Sequence, residues 1–158
     1  MRVANIRASL VLVVLVAIPA LASGAGDNRK ALGNGRDRFA LDRTTWDSVF
    51  TAEQAGRGES TYKQTCSRCH RDALSGGDEA PALTGSAFMS AWNGQTLEDL
   101  HERIRTSMPT DTPGVYSKQQ VTDVIAYVLR FNGFPAGTQE LTHELDALKT
   151  IKFVAAKR

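Results

Sequence analysis

Apolar positions along this chain recur mainly at helical spacing. Val121, Val124, Ile125, Val128 and Leu129 follow i, i+3, i+4, i+7, i+8, the stripe of a helix with one face in a core. Ser117 and Gln120 have the spacing of a capping box ahead of it, and Tyr116 with Val121 that of a hydrophobic staple. Asn132-Gly133 ends the pattern. Upstream, Thr51-Ala52-Glu53-Gln54 has capping-box form and predicts a helix from Ala52 to near Cys66, with Ala55, Gly58, Tyr62 and Cys66 on one face. Glycine inside a helix costs about 1 kcal/mol relative to alanine. Two readings fit Gly58: close approach of a second helix, or a tolerated exposed glycine. A further helix starts at Thr96, with Asp99 as capping partner and Leu97, Leu100 and Ile104 as its stripe, and ends near Ser107. Between these, Gly76-Gly77, Pro81, Gly85 and Asn93-Gly94 interrupt any period, leaving room for a short helical turn from Ser86 to Trp92. The stretch after Thr138 carries one short helix, Thr142 to Lys149. No strand of useful length is predicted, so the expected fold is all-α.

The chain begins with a different pattern. Arg2 and Arg7 precede a short apolar run, Leu10 to Ile18, followed by Pro19 and Ala20-Leu21-Ala22. Positive, apolar and small-residue regions in that order predict a secretory signal peptide, cleaved after Ala22 or Ala25. The run is short against the ~20 residues of a membrane span, and no cysteine follows it to take a lipid. Residues 26–47 are polar and glycine-rich, the composition of a flexible leader. The expected organisation is a signal peptide at 1–22, a leader at 23–45, one domain at 46–137 and a tail at 138–158. Charge adds little: the formal net charge is +2, and loss of Arg2 and Arg7 leaves 17 basic and 17 acidic side chains. Nothing in that balance points to nucleic acid or a polyanionic partner.

The chemistry is concentrated in Cys66-Ser67-Arg68-Cys69-His70. C-x-x-C-H is the attachment signature of a c-type haem: two thiols become thioethers, and the histidine becomes the proximal iron ligand. The chain's two cysteines are both in the motif, which leaves none for a disulfide framework. A zinc site needs about four ligands and a thioredoxin-like pair needs a βαβ setting; neither is provided. Export agrees with the motif, because c-type haem is assembled outside the cytoplasm. A second iron ligand has four candidates: Met89, Met108, His101 and His143. Met108-Pro109 lies in an irregular stretch stiffened by Pro109 and Pro113, and Met108 is the choice. Met89, near Phe88 and Trp92, reads as core packing; His101 reads as a surface histidine and His143 as solvent-facing. A thioether raises the potential relative to a second histidine, and filling both axial positions leaves the iron closed to substrate.

Gly58-x-x-x-Tyr62-x-x-x-Cys66-x-x-Cys69-His70, Pro81, Met108 and Val124-Ile125-Ala126-Tyr127 together resemble the class I c-type cytochromes. The resemblance covers Thr51 to about Phe131. It implies that the N- and C-terminal helices cross around one covalently attached haem c, with Gly58 and Tyr62 meeting Tyr127. It implies that the Pro81 carbonyl accepts the proximal histidine's N–H, and that Met108 is the distal ligand. With the pattern it implies a haem walled by Leu83, Phe88, Leu97, Leu100 and Ile104. For Trp92 two roles stand: an indole N–H for a propionate, or core packing. Arg71 departs from the many relatives that carry glycine after the histidine. Trp46 to Gly58, Trp92-Asn93-Gly94 and Asn132-Gly133-Phe134-Pro135-Ala136-Gly137 resemble small exported bacterial monohaem cytochromes associated with quinoprotein (PQQ) dehydrogenases.

The function expected from this is a soluble periplasmic carrier of single electrons, with His70 and Met108 on the iron and no catalysis of its own. Its partners would be redox proteins: a quinoprotein dehydrogenase as donor, and an oxidase or cytochrome as acceptor. No nucleic acid and no stable membrane insertion are expected after signal removal. The competing expectations are a haem subunit of a PQQ-type dehydrogenase complex, and a haem enzyme or gas binder with an open distal site.

Overall fold

The computed structural model describes residues 43–157. The expected signal peptide and the leader up to residue 42 lie outside the described residues. From β1 (Arg43–Thr44) the chain enters α1 (Ala52–Thr61), a π-helical segment (Tyr62–Cys66) and α2 (Ser67–His70). It continues through α3 (Gly85–Trp92), α4 (Leu97–Ser107), α5 (Lys118–Phe131), α6 (Leu145–Leu148) and β2 (Ile151–Lys152). Among the described residues no helix is long and apolar enough to cross a membrane.

The predicted caps form. Thr96 and Asp99 make a reciprocal box at the start of α4, and Ser117 and Gln120 do so at α5, each satisfying two backbone donors that a helix start leaves open. At α1 only half the box forms. The Thr51 hydroxyl accepts from the Gln54 N–H at 3.1 Å, but the buried Gln54 side chain turns elsewhere. Its Nε2 donates to the Leu141 carbonyl at 2.8 Å and its Oε1 accepts from the Leu141 N–H at 2.7 Å. A buried amide needs both kinds of partner, and a non-local backbone supplies them here.

Helices α1 and α5 cross at Gly58. A Cβ built there runs into the Asp123 carbonyl and comes 2.9 Å from the Val124 nitrogen. Close helix approach is therefore the reason for the glycine. Gly58 meets the α5 backbone one turn before Tyr127, while Tyr127 itself packs on Tyr62 with ring centroids 5.1 Å apart. Helix α5 is buried well beyond its predicted stripe, with Thr122, Asp123, Ala126 and Tyr127 also inside. The Asp123 carboxylate is paired there: Arg57 donates from Nε at 3.0 Å and Nη2 at 3.1 Å, and Gln119 from Nε2 at 2.8 Å. Pairing and hydrogen bonding offset the cost of burying its charge.

Two expectations about the chain's course are corrected. The first helix does not stop near Cys66. It widens at the π-helical segment, where Ser67 N–H donates to the Tyr62 carbonyl five residues back, and then runs on through the motif to His70. The stretch read as a tail is part of the packed unit. Leu141, Leu148, Ile151 and Phe153 are buried in the core, and the Phe153 ring lies 5.3 Å from Phe134 and 5.8 Å from Phe88. Its helix is one turn, Leu145–Leu148, and its end pairs in parallel with β1, Arg43 opposite Ile151 and Thr44 opposite Lys152. Thr45 is fully buried, and the Trp46 indole N–H donates to the Val154 carbonyl at 2.8 Å. The packed unit therefore extends beyond the expected limits of 46 and 137 on both sides.

Candidate functional site

The attachment motif forms one wall of a cavity of about 680 Å³. Cys66, Cys69 and His70 all line it. Continuing the helical path through residues 66–70 brings both sulfurs and the imidazole to the same cavity, because residues three and four apart share a helix face. His70 is held from behind. Its Nδ1 lies 2.8 Å from the Pro81 carbonyl, which can only accept, so Nδ1 carries the proton and Nε2 keeps its lone pair for a metal. Such a bond also fixes the orientation of the ring.

Both cysteines are free thiols, neither fully exposed. Burial pushes the Cys66 thiol up to about 11, against a smaller downward pull from Arg68. With nothing bound to it, it is therefore a neutral thiol at neutral pH and not an activated nucleophile. Among the described residues no cluster of three or more His, Cys, Asp or Glu side chains is placed to hold a metal ion. A neutral thioether suits this wall.

The remaining walls are mainly apolar. Leu83, Phe88, Trp92, Leu100, Ile104 and Pro81 line the cavity, as does Met108. Leu97 does not, which corrects its expected place as a wall residue. It is fully buried at the first turn of α4. Its neighbours at that end meet the returning chain: Thr96 bridges Lys152, and the Gln95 carbonyl accepts from the Phe153 N–H at 2.8 Å. Leu100 and Ile104, one and two turns on, face the cavity. Val121, Val124, Ile125 and Val128 of α5 line it too and were missing from the expected walls. Their stripe was visible, but nothing local says whether a stripe faces protein or cofactor.

Of the four candidates for a second ligand, Met108 lies in the cavity and the others do not. Met89 packs against the hydrophobic core. His143 is half-buried, with Nδ1 2.9 Å from the Gln119 side-chain oxygen. His101, expected at the surface, is fully buried. Its Nε2 donates to the Lys118 carbonyl at 3.2 Å, and its Nδ1 has no hydrogen-bond partner among the described residues. Two cations also line the cavity, Arg68 and Arg103.

Residues 53–128 match the family model described as cytochrome c oxidase, cbb3-type, subunit III. With the motif, the held histidine and the crossing of α1 and α5, this decides the identity. The domain is a class I c-type cytochrome. Its cofactor is haem c, and the residues present fit it: two neutral thiols, an imidazole with one free nitrogen, and an enclosing apolar surface. No curated protein matches the chain. Among solved structures, the sulfane dehydrogenase SoxCD from Paracoccus pantotrophus matches with a TM-score of 0.47 and 19% identity over 68% of this chain. The match spans 61% of the chain it is aligned with in that structure.

The cytochrome carries one unusual backbone position beside its motif. Arg71 has φ 66° and ψ 159°, a region used almost solely by glycine, where other residues store roughly 1–3 kcal/mol of strain. Its carbonyl is held by the Tyr62 hydroxyl, which donates at 2.8 Å, and by the Leu74 N–H at 3.1 Å. Arg71→Gly is expected to raise stability by about 1 kcal/mol, the released strain being partly cancelled by the greater freedom of unfolded glycine. Denaturant midpoints at constant m-value measure this; an unchanged or lower midpoint contradicts it.

Proposed function

We propose that this cytochrome is an exported carrier of single electrons, with His70 and Met108 as the axial ligands of its iron. The observation that carries the proposal is the position of Met108, the one candidate second ligand in the cavity that His70 lines. Haem c supplies a one-electron iron couple when bound. The chain's own residues do the rest. Pro81 fixes the His70 tautomer, and the apolar faces of α4 and α5 exclude water and so favour the less charged, reduced state. The thioether of Met108 raises the potential and closes the distal position. Trp92 and Arg103 both line the cavity, and their indole N–H and guanidinium are donors for carboxylates at this site.

The address is the periplasm, from the signal-peptide pattern in residues 1–22. The partners are larger redox proteins, with a periplasmic dehydrogenase as donor and an oxidase or second cytochrome as acceptor. The acceptor class is in keeping with a family described by an oxidase subunit. Such encounters are small and transient.

Potentiometric titration of the full chain matured in a periplasm tests this, together with a peroxide turnover assay. A single one-electron curve without peroxide turnover is expected. Turnover, or a fraction that never reduces reversibly, overturns the carrier reading in favour of an enzyme.

A further inference from the structure

Residues 109–116 follow Met108 directly, join α4 to α5, and line the cavity through Pro109, Thr110, Asp111 and Tyr116. The loop's other polar bonds are internal: Thr112 N–H donates to the Pro109 carbonyl at 3.1 Å, and the Thr112 hydroxyl to Asp111 Oδ1 at 3.2 Å. Among the described residues one polar link joins this loop to another element. Arg68 Nη2 donates to Asp111 Oδ2 at 3.3 Å. The loop's apolar hold is also slight, since Tyr116 packs against the core but Val115 is 61% exposed. Arg68 sits between the two attachment cysteines, and its Nε donates to the Thr65 carbonyl at 3.3 Å, which anchors it to the attachment helix.

We propose that the Arg68–Asp111 pair is a latch between the attachment segment and the Met108 loop, and that it sets how readily the distal position opens to small ligands. The inference rests on Met108 being the distal ligand. Departure of the thioether from a bound iron would displace Met108, and in this proposal the loop that starts at Pro109 moves with it. Opening therefore breaks the pair. Arg68 and Asp111 act as positioning residues, through the loop rather than by touching the cofactor's iron. Both side chains are more than half exposed, so the contribution is that of a surface ion pair and is screened by salt.

Stopped-flow binding of imidazole to the ferric holoprotein tests the latch. Arg68→Gln and Asp111→Asn are each expected to speed binding about two- to five-fold. The double variant should be no faster than either single one, the signature of one shared interaction. High salt should accelerate the native protein and leave the variants almost unchanged. Asp111→Asn lies outside the attachment motif, so its result stands even if Arg68→Gln lowers haem loading. Unchanged rates in the single variants, or effects that multiply in the double variant, overturn the latch while the sulfur-to-iron band of the native protein stays intact. A native protein that lacks that band and binds imidazole at once refutes Met108 ligation itself, and the latch with it.

Discussion

Alanine at Gly58 is expected to destabilise the cytochrome by about 3 kcal/mol, the upper part of the range for overpacking. Alanine at Gly56, two residues earlier in the same helix, is expected to stabilise it by about 0.5–1 kcal/mol. Intrinsic helix propensity favours alanine equally at both positions. The difference lies in what the new methyl group meets. At Gly56 nothing lies within 4 Å of an added Cβ. At Gly58 the neighbours are the backbone of Asp123 and Val124, which has no side-chain rotamer through which to yield. Helix α5 would have to move away from α1. That separation disturbs the Tyr62–Tyr127 packing, and it shifts the α5 face that lines the cavity. Chemical unfolding of the two holoproteins measures the effect. Midpoints that move in opposite directions support the crossing, and a Gly58→Ala protein as stable as the native one refutes it.

Met108→Ala carries the largest expected functional effect. On the proposed ligation, removing the thioether would leave an axial position that, among the described residues, none of Met89, His101 and His143 is placed to fill, since all three lie outside the cavity. The reduction potential should fall on the order of 0.1 V, a part of the ~0.8 V that axial ligands control. The ferrous variant should bind carbon monoxide rapidly at neutral pH where the native protein does not. Met89→Leu is the control and should change neither property, because Met89 packs in the core. The same potential and the same resistance to carbon monoxide in Met108→Ala would remove Met108 from the iron.

What was readable in the sequence was local. The five-residue motif, the Thr96–Asp99 and Ser117–Gln120 boxes and the α5 stripe each depend on residues within two turns of one another. What was hidden was non-local. The segment that ends in Ile151–Lys152 pairs with Arg43–Thr44, more than a hundred residues away, and its buried positions change spacing along the way, Leu141 and Leu148 seven residues apart and Ile151 and Phe153 two apart, so no single period runs through it. The same returning chain covers the first turn of α4, so Leu97 belongs to the protein core while Leu100 and Ile104 belong to the cavity. His101 lies on a helix with charged neighbours at Glu102 and Arg103, and its burial becomes visible only once Lys118 of α5 is placed over it. The π-type widening before the motif has no marker in residues 62–66.

Near-infrared magnetic circular dichroism of the native ferric protein tests the central claim, an iron closed by imidazole on one axis and thioether on the other. A low-spin signal with the sulfur-to-iron charge-transfer band is the predicted result. A high-spin signal, or a low-spin signal with two nitrogen ligands, would contradict it.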